Sequence, residues 1–97
     1  MKSLGEIKAI LKQHEAEIKS RYGVRDIGIF GSYLHNNQKR NSDLDILVEF
    51  NKAPGFFKFI ELEEYLTEIL GVKVDLVMKS ALKPKIGEHI LSEVTYL

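Results

Sequence analysis

Three short runs dense in Ile, Val and Leu, separated by stretches with helical apolar spacing, predict an α+β domain. The apolar runs are residues 24–30, 44–50 and 72–77, and the helical stretches are residues 3–19, 56–70 and one opening at Pro84. At 97 residues there is length for one hydrophobic core, so residues 1–97 are expected to form a single domain.

Ser3 followed by Glu6 reads as a capping box, and Leu4, Ile7, Ile10, Leu11 and Ile18 then recur at helical spacing through Lys19. That is an amphipathic helix covering a sheet, with His14 in a structural or solvent-facing role. Gly23 stops it, and Val24–Phe30 is the first strand, its apolar end buried on both faces and Gly28 admitting a close neighbour. Tyr33 to Ser42 reads as a short helical turn and a polar loop, and Leu44–Phe50 as the second strand. After a turn at Pro54, Phe56–Leu70 is a helix whose apolar arc is wider than one packed face needs, with Gly71 as its terminator. Residues 72–77 make the third strand, with Val72, Val74 and Leu76 on one side and Lys73, Asp75 and Val77 on the other. Pro84 suits the first turn of a last helix, striped by Ile86, Ile90, Leu91 and Val94.

Composition excludes several classes of function. Fourteen basic residues balance fourteen acidic ones, which argues against direct, non-specific nucleic-acid binding and leaves association with a partner or a second copy open. No apolar run approaches the ~20 residues that span a bilayer, so no membrane role is expected. The absence of cysteine excludes disulfides and thiolate zinc sites and fits a cytoplasmic setting.

One constellation carries chemistry. Gly31-Ser32 follows the first strand, and after ten residues comes Asp43-Leu44-Asp45 at the start of the second. Side chains alternate along a strand, so Asp43 and Asp45 point the same way, roughly 7 Å apart along the chain. Leu44, Ile46, Val48 and Phe50 then point into the core. Two carboxylates about 4 Å apart repel by roughly 4 kcal/mol at an effective dielectric near 20. Asp75 from a neighbouring strand would add to this, so either a proton or divalent cations must sit among them. Gly31 lets a phosphate approach the backbone, and the hydroxyl of Ser32 can donate to it.

The stretch GSYLHNNQKRNSDLDILVEF resembles the Gly-Ser-x10-Asp-x-Asp signature of the DNA polymerase beta-like nucleotidyltransferase superfamily. The short length, the strand VKVDLV and the ending LKPKIGEHILSEVTYL resemble its minimal nucleotidyltransferase (MNT) domain proteins. This resemblance implies the nucleotidyltransferase fold, a small mixed β-sheet with helices packed on one side. It also implies that Gly31 and Ser32 hold the outer phosphates of a nucleoside triphosphate. Asp43 and Asp45 would ligate the magnesium that binds the triphosphate, and Asp45 and Asp75 a second magnesium at the attacking hydroxyl. One departure is Leu34-His35-Asn36, where many members have Ala-Arg-Gly. It bears on triphosphate affinity more than on metal binding, and Lys39 and Arg40 could supply the charge.

There is no length for an acceptor-binding domain, so the acceptor is expected on another polypeptide. In the family the partner is a HEPN-domain ribonuclease toxin and the MNT protein its antitoxin, with AMP moving from ATP to a toxin tyrosine. A second reading is a non-catalytic antitoxin that blocks its partner through the aromatic face of Phe56–Leu70. Transfer to a small molecule such as an aminoglycoside is a third reading, and self-modification at Tyr22, Tyr33, Tyr65 or Tyr96 a fourth.

Overall fold

The computed structural model describes residues 3–33 and 43–97. Ser3 caps the first helix, α1 (Leu4–Gln13), accepting from the Glu6 amide while the Glu6 carboxylate accepts from the Ser3 amide. The single helix expected through Lys19 is two: α1 gives way at His14 to α2 (Glu15–Tyr22). At His14 (φ −103°, ψ 9°) the imidazole Nδ1 lies 2.9 Å from the Ile10 carbonyl. The backbone N–H is left divided between the Ile10 and Leu11 carbonyls at 3.2 Å each. A side chain that takes the i−4 carbonyl competes with the helix ladder and bends it. His14 is therefore structural, half-buried with its ring edge-on to Tyr65.

Gly23 ends α2 in the left-handed region (φ +67°), and β1 (Val24–Phe30) follows. After a 3-10 turn at Gly31–Tyr33 and residues 34–42, β2 (Leu44–Phe50) runs antiparallel to β1. Helix α3 (Phe56–Leu70), closed by Gly71 at φ +69°, then crosses to β3 (Val74–Met78), which pairs parallel with β2. This strand starts two residues later than expected and runs one residue further, because the Gly71 turn occupies Val72 and Lys73. Another 3-10 turn (Lys79–Ala81) leads to α3's successor α4 (Pro84–Glu93), with Pro84 in its first turn.

The sequence reading missed β4 (Thr95–Tyr96), which adds antiparallel to β1 at Gly28 and Ile29. Two residues are too few to show a period. The sheet order is β3-β2-β1-β4, a mixed sheet in an α+β fold. Gly28 is where the added strand comes close: a Cβ there would meet the Thr95 carbonyl and Val94 Cγ2 at 3.1 Å.

Helices α1, α2 and α3 cover one face of this sheet. Ile7, Leu11, Ile18, Tyr22, Leu62, Leu66 and Leu70 meet Ile27, Ile29, Leu44, Ile46, Val48, Val74 and Leu76 in one buried cluster. Period two then assigns Phe30, Asp45, Leu47 and Asp75 to the opposite face. Helix α4 adds less to the core than its stripe suggests. Ile90 and Val94 are half-buried and Leu91 is exposed, while the side chain of Ile86 lies outside the described part. The aromatic excess at the start of α3 is real: Phe56 and Phe57 are 73% and 79% exposed. Among the described residues no helix is long and apolar enough to cross a membrane.

Leu66 is fully buried at the α3–sheet contact, so Leu66→Ala is expected to cost ~2–5 kcal/mol of unfolding free energy. Phe57→Ala, at an exposed position, should change it by less than ~0.5 kcal/mol. Urea unfolding midpoints of the two variants check this contrast.

Candidate active site

Strand β1 ends by delivering the chain to Gly31, whose φ of +82° lies in the left-handed region that glycine alone enters freely. A second constraint also excludes a side chain there. A Cβ at Gly31 would overlap Asp45 Oδ2 and stand 3.1 Å from the carboxylate carbon. The turn is held from below by Tyr33, which is buried in the core. Ser32 is the middle residue of the turn, and its side chain lies outside the described part. The loop positions Leu34, His35, Asn36, Lys39 and Arg40 also fall outside the described residues.

Asp43 immediately precedes β2. The Leu44 amide donates to the Lys73 carbonyl at 2.8 Å, which stitches the start of β2 to β3. From there the parallel register sets Asp45 directly beside Asp75. In-register residues of neighbouring strands share a face ~4.8 Å apart, so the two carboxyl groups stand side by side. Asp43, two residues before Asp45, lies close enough for its charge to act on the Asp45 carboxyl. Leu44 and Ile46 on either side of Asp45 are fully buried, which fixes the strand's facing. Asp43 and Asp45 are half-buried and Asp75 is exposed, so the cluster opens outward along the edge strand.

Partial burial pushes the Asp45 carboxyl up to about 6, with the charges of Asp75 and Asp43 and a hydrogen bond shared with Asp75 acting in the same direction. Two ionised carboxylates have no proton to share, so that bond needs one of the pair protonated. Among the described residues no Lys or Arg forms an ion pair with any of the three acids.

This donor set suits magnesium: hard, acidic oxygen ligands. Among the described residues no three His, Asp or Glu side chains form a ready-made metal cage. Magnesium does not require one, since it usually takes one or two carboxylates and fills its shell with waters and substrate phosphates. A hollow of about 410 Å³ lined by Val48, Glu49, Phe50, Met78 and Lys79 lies at the other end of β2 and β3, away from Asp43, Asp45 and Asp75.

The sequence expected Gly31, Asp43, Asp45 and Asp75 to converge, and each falls beside the same sheet face. A nucleotidyltransferase domain model matches residues 11–97. The chain belongs to that family. This nucleotidyltransferase is 54% identical over 97 residues to the protein adenylyltransferase MntA of Thermococcus cleftensis, covering all of this chain and 98% of that one. It also resembles a chain from a toxin–antitoxin crystal structure with AMP-PNP at 27% identity and a TM-score of 0.73. That match covers 93% of this chain and 70% of the other. A complex of tri-AMPylated Shewanella oneidensis HEPN toxin with MNT antitoxin contributes a further match, 18% identical with a TM-score of 0.67, covering 93% and 70% of the two chains. At that identity the likeness is one of fold.

Sequence reasoning overlooked two residues near the site. Thr67 and Glu63 on α3 accept hydrogen bonds from the β3 amides that flank Asp75. Their spacing of one helical turn is visible in the sequence, but nothing local marks the strand amides that they meet.

Gly31→Ala is expected to cost ~1–2 kcal/mol from its left-handed backbone alone and to displace the Asp45 carboxyl. Urea unfolding and Mg2+-dependent nucleotide binding test the two effects. A carboxyl whose pKa rises on folding binds a proton more tightly in the folded state, so it opposes folding above about 6 and that penalty vanishes below ~4. Asp45→Asn should therefore be more stable than the parent at pH 8 without divalent cation, by on the order of 1 kcal/mol once solvent screening is allowed for. The difference should shrink as pH falls through 6 toward 4 in parallel denaturation curves.

Proposed function

We propose that this chain is a magnesium-dependent adenylyltransferase that moves AMP from ATP to a tyrosine hydroxyl of a HEPN-type ribonuclease toxin, and so acts as its antitoxin. The observation that carries the chemistry is the row of acids, with Asp45 beside Asp75 in register and Asp43 two residues before Asp45. The choice of AMP and of a protein acceptor is supported by the Thermococcus relative's description as a protein adenylyltransferase. A toxin partner is supported by the toxin–antitoxin structure with AMP-PNP. The HEPN class of that toxin follows from the sequence resemblance.

In the proposed reaction the acceptor oxygen bonds to the α-phosphorus of ATP as the bond from that phosphorus to the α–β bridging oxygen breaks. Pyrophosphate leaves with the electron pair, and the hydroxyl proton passes to a carboxylate or to water. Asp43 and Asp45 would hold one cation with the triphosphate, and Asp45 and Asp75 a second beside the acceptor. When bound, magnesium would neutralise phosphate charge and make the acceptor hydroxyl easier to ionise. Gly31 and the Ser32 hydroxyl would seat the outer phosphates, and Asp75, the exposed acid, would take up the acceptor proton. Most of the rate would come from positioning and charge neutralisation. Self-modification has fewer routes than the sequence offered. Tyr22 and Tyr33 are buried and the Tyr65 hydroxyl is enclosed, while Tyr96 is 43% exposed.

A second reading, a non-catalytic antitoxin that works by steric binding, is favoured by one observation: Phe56 and Phe57 are presented to solvent, ring against ring at 5.7 Å between centroids. The two readings diverge under mutation. Incubation with ATP, Mg2+ and the cognate toxin should add AMP units to the toxin by intact mass. Asp43→Asn should reduce that gain ~100-fold or more while the complex still forms. An Asp43→Asn protein that neutralises the toxin fully, with Phe57→Asp failing to, would select the steric reading.

A further inference from the structure

Asp75 stands on an edge strand, paired with β2 on one side only. Backbone groups alternate in direction along a strand, so the Lys73 carbonyl reaches β2 while the amides of Val74 and Leu76 face outward. Outward amides on an edge are normally left to water or to another chain. Here both are occupied by side chains of α3. Thr67 Oγ1 accepts from the Val74 amide at 3.1 Å, and Glu63 Oε2 accepts from the Leu76 amide at 3.0 Å.

The spacings agree. Four residues of helix advance ~6 Å and two residues of strand ~6.6 Å, so two side chains one turn apart can meet alternate amides of a strand lying alongside. The pairing order, 67 with 74 and 63 with 76, requires helix and strand to run in opposite directions, which the Gly71 reversal supplies. The Thr67 carbonyl also accepts the Gly71 amide at 2.9 Å, so one residue ends the helix and anchors the strand. The clamped amides belong to the two neighbours of Asp75.

We propose that Glu63 and Thr67 are positioning residues of the acid site, gripping β3 on both sides of Asp75 so that its carboxylate stays opposite Asp45. Neither touches a substrate. Their effect is on where Asp75 stands, and thus on the second cation and the acceptor rather than on seating of the triphosphate. The kinetic part rests on the adenylyltransferase reading; the geometric part does not.

The test uses the full chain in paired variants. Thr67→Val and Glu63→Leu remove the acceptors at similar volume, whereas Thr67→Ser and Glu63→Gln keep them, the latter without the charge. Hydrogen exchange of the Val74 and Leu76 amides, measured without nucleotide, should quicken ~10-fold or more in the Val and Leu variants and stay near the parent rate in Ser and Gln. With ATP and the toxin, the Val and Leu variants should lose ~10-fold or more in kcat and need several-fold more Mg2+, with KM for ATP within about 2-fold. The Ser and Gln variants should transfer AMP at near-parent rates.

Unchanged amide exchange in the Val and Leu variants would overturn the clamp. Faster exchange with parental kcat and Mg2+ dependence would overturn positioning and reduce the pair to an edge cover. Equal losses in Gln and Leu would also overturn it, since charge and not the hydrogen bond would then be responsible. If the parent transfers no AMP at all, it is the adenylyltransferase reading that fails, and amide exchange together with calorimetric titration of Mg2+ and AMP-PNP still judges the clamp.

Discussion

Like charges held side by side are the constraint around which this molecule is built. Asp45 and Asp75 share a face because β2 and β3 pair in parallel and in register, and Asp43 lies two residues before Asp45. An isolated pair of strands would not keep that arrangement. Repulsion would favour a slip or splay, and a slip by one residue would expose Leu44 and Ile46, both fully buried. The hydrophobic core thus sustains the unfavourable contact, and burial together with the neighbouring acids raises the Asp45 carboxyl.

The topology answers the same need. Parallel strands require a crossover, and α3 supplies it while burying Leu62, Leu66 and Leu70 over the sheet. The side of the helix that faces the strand edge carries Glu63 and Thr67, so one element makes the parallel pair possible, covers it and caps its free amides. Gly31 belongs to this economy too. Its backbone conformation and its contact with the Asp45 carboxylate both require the absence of a side chain, so the Gly31 turn and the Asp45 carboxylate are mutually fitted.

Much of this was legible in the sequence, for identifiable reasons. Strands of seven residues and a fifteen-residue helix show their periods clearly, and Gly23 and Gly71 mark helix ends by a known conformational need. The acids were legible because Asp-x-Asp in a strand has one geometric meaning. Other features lack a local signature. The bend at His14 depends on a ring nitrogen reaching the Ile10 carbonyl, and β4 is two residues long. The register that sets Asp45 against Asp75 is a property of two distant segments. Glu63 and Thr67 look like solvated helix positions until the strand beside them is known.

The measurement that bears most directly on the account is the titration of the Asp45 carboxyl, followed by carbon-13 NMR with and without Mg2+ and AMP-PNP. In the free protein the expected midpoint is about 6. With cation and nucleotide bound, the midpoint should fall below the ordinary aspartate value of about 4, because an adjacent cation favours the ionised carboxylate over the protonated one. A free-protein midpoint near 4, or one near 6 that Mg2+ and AMP-PNP leave unmoved, would contradict it.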